Sequence, residues 1–197
     1  MKNKILILGL ICLVFAGCRV NRVTTLYESV SFAPKPENDS LWLFTPVLQF
    51  ADFSESYDRL AHKELKFMLG NNLILEEQLR SLFLIPRLEI NQKDRYIKSL
   101  QSTPVAYWVV CSLGSEKNDP FETHLTPRES LKQQAVTYVR IIEVASGKEV
   151  YKQKTYASLN KPNEEQDKGL LFIPTESRLH FKTLQKALKN LKRDMGK

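Results

Sequence analysis

Val136-Thr-Tyr-Val-Arg-Ile-Ile-Glu-Val-Ala-Ser-Gly-Lys-Glu-Val-Tyr151 is the stretch on which the fold turns. Val136 to Val144 is strand-like, rich in β-branched and aromatic residues. Ala145-Ser146-Gly147-Lys148 reads as a turn, with Gly147 free to take a positive φ. Glu149 to Ser158 then alternates lysines with other residues, the pattern of an outer, half-wet strand. Gln134–Val144 and Lys148–Leu159 therefore form an antiparallel hairpin.

Working upstream, Val105-Ala-Tyr-Trp-Val-Val-Cys-Ser-Leu113 is apolar on both faces and long enough to cross a sheet. Gly114 to about Ser130 is a polar connection. Asn91 to Leu100 is a short helix. Phe83-Leu-Ile-Pro-Arg-Leu-Glu-Ile90 reads as a strand at a sheet edge or bulge, because Pro86 has no N–H for a ladder. A helix is expected from about Glu55 to Ser81, with Leu60, Phe67, Leu75, Leu79 and Leu82 at helical spacing. Gly70-Asn71-Asn72 is its weak point. Leu41 to Phe50 is the first strand, again with a proline, Pro46, implying an edge or bulge.

Downstream, Asn160 to about Thr175 is a loop holding the apolar island Leu170-Leu171-Phe172-Ile173. Such an island packs on its own sheet or meets a partner. The chain closes in an amphipathic helix. Phe181, Leu184, Leu188, Leu191 and Met195 line one face, and lysines from Lys182 onward surround the rest. The expected fold is α/β (α+β): one mixed sheet of about five strands, with a long, a short and a C-terminal helix packed on it.

The N-terminus reads differently. Met1-Lys2-Asn3-Lys4 is basic, Ile5–Phe15 is apolar, and Ala16-Gly17-Cys18 follows. This is the layout of a secretory signal peptide, and the run is too short to span a bilayer. Phe15-Ala16-Gly17-Cys18 resembles the lipobox of bacterial lipoproteins. The resemblance implies cleavage before Cys18, a diacylglyceryl thioether on its sulfur and acylation of its amine. Residues 1–17 are then the signal peptide, 18–40 a lipidated tether and 41–197 a single domain. Within the tether, Thr24–Phe32 carries scattered apolar residues and is alternatively a short docked segment. Arg19 after the cysteine, where Asp is absent, implies outer-membrane sorting by the Gram-negative pattern.

Composition limits what remains. The 197 residues carry a net charge of +7, which becomes +5 when Lys2 and Lys4 leave with the signal peptide. Hydrophobic and charged fractions of 43% and 26% are globular values. Export argues against nucleic acid as the acidic partner. Anionic headgroups and cell-wall polymers remain for the basic face of Lys182–Lys197, beside a plainly solvated face. With Cys12 removed and Cys18 blocked, Cys111 is the only free thiol, so no intramolecular disulfide is expected.

Val136–Tyr151, together with Ala106-Tyr-Trp-Val-Val-Cys-Ser-Leu-Gly114, resembles a group of envelope lipoprotein domains. The group includes CsgG, LpoB and, more distantly, the N-terminal domain of TolB. The resemblance covers residues 41–159 and the terminal helix. It implies a lipid-anchored accessory module, a regulator of cell-wall synthesis or of envelope assembly, acting through an envelope protein partner. A secretion-channel subunit is the alternative. It needs extra amphipathic hairpins, and the loops 114–130 and 160–175 are too short and polar to supply them.

No catalytic constellation is visible. His62, His124 and His180 are scattered, and no zinc spacing, phosphate loop or nucleophile elbow occurs. Asp52, Glu55 and Asp58 suit a helix N-terminus better than a cation. His124 beside Glu122 is a weak ligand pair. The chain is therefore expected to be no enzyme, with no cofactor or metal. Cys18 is its lipidation site, and Leu170, Leu171, Phe172 and Ile173 are candidate partner contacts.

Overall fold

The computed structural model describes residues 23–27, 33–36, 39–49, 55–88, 92–114, 119, 121, 134–158 and 176–196. They form one mixed seven-stranded sheet and four helices. The strands are β1 (Val23–Tyr27), β2 (Leu41–Phe44), β3 (Leu48–Gln49), β4 (Leu73–Leu75), β5 (Val105–Gly114), β6 (Gln134–Glu143) and β7 (Lys148–Ser158). The helices are α1 (Glu55–Leu69), α2 (Glu76–Leu82), α3 (Lys93–Leu100) and α4 (Glu176–Asp194).

The sheet runs β1-β7-β6-β5-β2-β4, with β3 continuing beyond β2 along β5. β2 is parallel to both β4 and β5, while β5, β6, β7 and β1 are antiparallel in turn. The hairpin is as the sequence implies: Glu143 pairs with Lys148, and Gly147 turns the chain at φ 68°. Gln101 Nε2 donates to the carbonyls of Val144 and Ala145, fastening this turn to the end of α3.

β5 is buried on both faces and divides the core in two. Val109, Cys111 and Leu113 point to the face covered by α1 and α4. Trp108 and Val110 point to the face covered by α2 and α3, where Val105 joins them because the pairing with β2 shifts register just after it. The alternation follows from the two-residue period of a strand. Trp42 and Trp108, the largest fully buried side chains, lie on opposite faces.

The expected fold class stands: one mixed sheet with helices packed on it, numbering seven strands because Pro46 splits the first and because β1 and β4 join it. Two expected elements are corrected. The expected helix over 55–81 breaks at Gly70, which at φ 60° stops α1 as an L side chain could not do without strain. Asn71 and Asn72 complete a short 3₁₀ turn, and Leu73–Leu75 then pairs with β2 instead of continuing the helix. The apolar residues there are consecutive, so they satisfy a two-sided strand as readily as a helix. Phe83–Ile90 does not form a strand over its described residues 83–88. Instead Glu76, buried on α2, accepts from the Leu88 N–H at 3.2 Å and holds that segment as an extended cover. Pro46 interrupts the first strand into β2 and β3; β2 lies between β4 and β5, while β3, among the described pairings, runs along β5 alone.

Val23–Tyr27, inside the stretch read as a tether, is the edge strand β1. Val23 stands opposite Ala157 and Tyr27 opposite Gln153. β7 is eleven residues long, and without β1 its outer backbone groups would be an open template. Further along, Ala33 is buried in the α1/α4 half of the core.

Candidate functional site

The most elaborate polar centre surrounds Arg140, a lone cation in the apolar run Val136–Ile142. Its side chain is fully buried. Asp119 accepts from Arg140 Nη2, and its other carboxylate oxygen accepts from Ser112 Oγ at 2.7 Å and the Phe121 N–H at 3.0 Å. Arg140 Nη1 donates to Ser112 Oγ at 3.2 Å. Glu149 Oε2 lies 3.1 Å from Arg140 Nε, close enough for an ion pair but not aligned as a hydrogen bond. The guanidinium sits between the rings of Phe121 and Tyr138, 5.1 and 5.0 Å from their centroids. Lys93 and Lys154 lie over the same two rings at 4.5 and 5.8 Å.

This arrangement answers a physical demand. A buried guanidinium is tolerable only when paired and hydrogen-bonded. Its chemistry is that of a clamp, fixing Asp119 and Phe121 onto the outer half of the sheet. Phe121 in turn packs edge-on against Trp108, which packs on Tyr96. Trp108 Nε1–H donates to Thr45 Oγ1 at 3.1 Å. Sequence reading passed over Arg140. The signal was available: one charge inside an apolar strand requires a partner elsewhere in the chain.

Other buried or half-buried ionisable groups also tie segments of the fold together. Glu76 accepts from Tyr96 Oη at 3.3 Å, and burial, then the Glu76 charge, pushes the Tyr96 hydroxyl far above its ordinary value. Asp58 accepts from the Val47 N–H at 2.6 Å, tying α1 to the link between β2 and β3. Cys111 is fully buried, and burial pushes its thiol up to about 12.

Of the sequence-predicted site residues, Cys18 and Leu170–Ile173 lie outside the described residues, as do Asp52, Glu122 and His124. Glu55 and Asp58 are not brought together on a common ligand: Glu55 pairs with Arg59, and Asp58 holds Val47. Among the described residues, no three His, Cys, Asp or Glu side chains converge as a metal site. No helix among them is long and apolar enough to cross a membrane.

The surface carries two further features. Leu82, the last residue of α2, and Leu84, just past it, are exposed, Leu84 completely so. The expected helix and strand concealed this protrusion. The second feature is the α1/α4 layer. The two helices lie parallel, with Tyr57 Oη donating to the Ser177 carbonyl at one end and Lys192 over the Phe67 ring at 4.0 Å at the other. α4 buries Leu179, Leu184, Leu188 and Leu191 and turns Arg178, Lys182, Lys186, Lys189 and Arg193 outward. Their spacings of three and four residues align them in one stripe along the helix.

No protein-family model and no curated protein matches the chain. Solved structures of partly similar shape include the PelC dodecamer from Paraburkholderia phytofirmans, at 10% identity and TM-score 0.48, over 87% of this chain and 99% of that one. The LpoB C-terminal domain from Salmonella enterica matches at 12% identity and TM-score 0.42, over 68% and 88% of the two chains. Lipoprotein GNA1162 from Neisseria meningitidis matches at 13% and 0.38, over 65% and 86%. These are partial likenesses of shape, and none bears on what this chain binds.

Proposed function

We propose that this chain is an exported lipoprotein of the cell envelope, anchored through Cys18 and working as a non-catalytic binding or accessory module. Its place in this reading is the outer membrane, facing the periplasm, and its role is regulation of cell-wall synthesis or assistance to envelope assembly through another envelope protein. The observation that carries it is Phe15-Ala16-Gly17-Cys18 after a basic start and an apolar run of eleven residues. Acylation there is strong enough to matter. Each buried methylene contributes about 0.8 kcal/mol, and two or more chains hold a protein stably where one does not.

The interior supports a binding rather than a catalytic role. Arg140, Asp119, Glu76 and Asp58 are each engaged in holding segments of the fold together. The exposed Leu82 and Leu84 offer an apolar contact of the kind a partner protein would cover.

Cys18→Ser tests the anchor: the variant should move from the membrane to the aqueous fraction, and retention on the membrane contradicts the reading. Affinity capture with the released protein tests the adaptor role. It should retain an envelope protein, and Leu84→Asp should weaken that capture. Capture of no partner under any growth condition contradicts the role.

A further inference from the structure

The charge excess of this protein is concentrated on one helix. α4 carries six Lys or Arg residues against Glu176 and Asp194, an excess of +4, where the chain from Cys18 onward totals +5. α1 beside it is neutral overall, with Arg59, Lys63 and Lys66 against Glu55, Asp58 and Glu64. The outward surface of this layer is thus a cationic stripe on α4. Exposed aromatic rings flank it at both ends: Phe181 near the start of α4, and Phe67 beneath Lys192 near its finish.

The position of the N-terminus gives that stripe a direction. Val23 is in register with Ala157, and Ala157 packs with Ala135 and Leu179 at the start of α4. α4 also touches β1. Cys18 precedes Val23 by five residues, which reach at most about 18 Å when fully extended. A lipid on Cys18 therefore enters the bilayer within that distance of Val23, on the side of the domain where α4 begins with Arg178, Phe181 and Lys182. The domain is tied close to the membrane, at the edge where the cationic stripe begins.

We infer that the outer face of α4, from Arg178 to Arg193, docks on an anionic bilayer surface beside the Cys18 anchor. Phe67 and Phe181 enter the headgroup region. The inference rests on the Cys18 reading for its geometry, but its electrostatics stand separately. A single layer of headgroups meets all five outward cations, since the stripe runs along one side of a straight helix. Each Lys or Arg near an anionic leaflet strengthens binding about fivefold, and salt screens the effect. α4 keeps its apolar face in the core, so it lies on the surface as part of the folded domain and does not insert.

The test uses the acylated protein in vesicles of phosphatidylethanolamine and phosphatidylglycerol containing a nitroxide-headgroup quencher. A fluorophore is placed at Gln185→Cys on α4 or at Glu77→Cys on α2, both exposed positions. At low salt, quenching should be about threefold or more greater at position 185 than at 77. The difference should vanish in about 1 M salt, where the screening length is short. It should vanish equally in the K182Q/K186Q/K189Q variant and when phosphatidylcholine replaces phosphatidylglycerol. Circular dichroism of the triple variant should match the parent. Equal quenching at both positions overturns the inference, and so does quenching at 185 that ignores salt and lipid charge. Binding of heparin without preferential quenching at 185 also overturns it. Flotation with vesicles in high salt reports the anchor separately. If that is lost, the Cys18 reading fails. Salt-dependent flotation of the unanchored chain on anionic vesicles then upholds the docking face, and its absence rejects it.

Discussion

Arg140 and Asp119 form an ion pair closed off from solvent, with Ser112 hydrogen-bonded to both partners. Removing one member leaves a buried charge with too little compensation. Asp119→Asn should therefore destabilise the domain by about 3 kcal/mol, at the lower end for a broken buried pair because Glu149 remains. The joint change Arg140→Met and Asp119→Leu should recover most of that loss, since an apolar replacement removes both desolvation costs. Urea unfolding of the two variants measures the difference.

Asp58 predicts a pH dependence. Burial raises its carboxyl, the Val47 N–H bond pulls it down by less, and Glu55 adds a smaller upward push. A raised value in the folded state means that folding takes up a proton in the window just above the ordinary carboxylate value. The cost of holding this charge is absent below that value and grows as pH rises through the window. Asp58→Asn keeps an oxygen for Val47 and removes the charge. Its stability at neutral pH should equal or exceed the parent's, and that part of the acid-side slope should disappear. Asp58→Ala should lose about 1 kcal/mol instead, because the Val47 N–H then lacks its acceptor. Unfolding curves across the acid range check both.

Cys111 should be silent to a disulfide reagent at pH 8 in the native protein. Its thiol is fully buried and pushed up to about 12 by that burial. Thiolate is the reactive form, so reaction should begin only as denaturant unfolds the sheet. Titration with a chromogenic disulfide across the unfolding transition measures this, and one native equivalent from Cys111 would contradict the packing around β5.

The position of β1 predicts hydrogen exchange. Amides of Val23–Tyr27 that face β7 should exchange about tenfold or more slowly than unprotected amides. Exchange at the unprotected rate throughout that segment would return it to a long leash and lengthen the reach of the anchor.

The hairpin and the C-terminal helix were legible because each carries a regular pattern over many residues. Val136–Glu143 and Lys148–Ser158 show strand composition around a glycine turn, and Leu184, Leu188 and Leu191 recur at helical spacing. Leu73-Ile74-Leu75 was not legible as a strand. Three consecutive apolar residues have no period, and only the presence of β2 alongside decides between strand and helix. Phe83–Leu88 failed for the opposite reason: its composition suits a strand, but Glu76 holds its backbone where a sheet neighbour would be needed. The clamp at Arg140 depends on Asp119, twenty-one residues away on another segment, a distance that no local pattern encodes. The cationic stripe of α4 could be read as spacing, whereas its closeness to the N-terminus came from the register of Val23 with Ala157.

Membrane anchoring in this protein turns on Cys18, and the mature N-terminus can be weighed directly. Mass spectrometry of the protein isolated from envelopes should find a chain beginning at Cys18, carrying a diacylglyceryl thioether and an amide-linked acyl chain. A chain beginning elsewhere, or one beginning at an unmodified Cys18, would contradict the account.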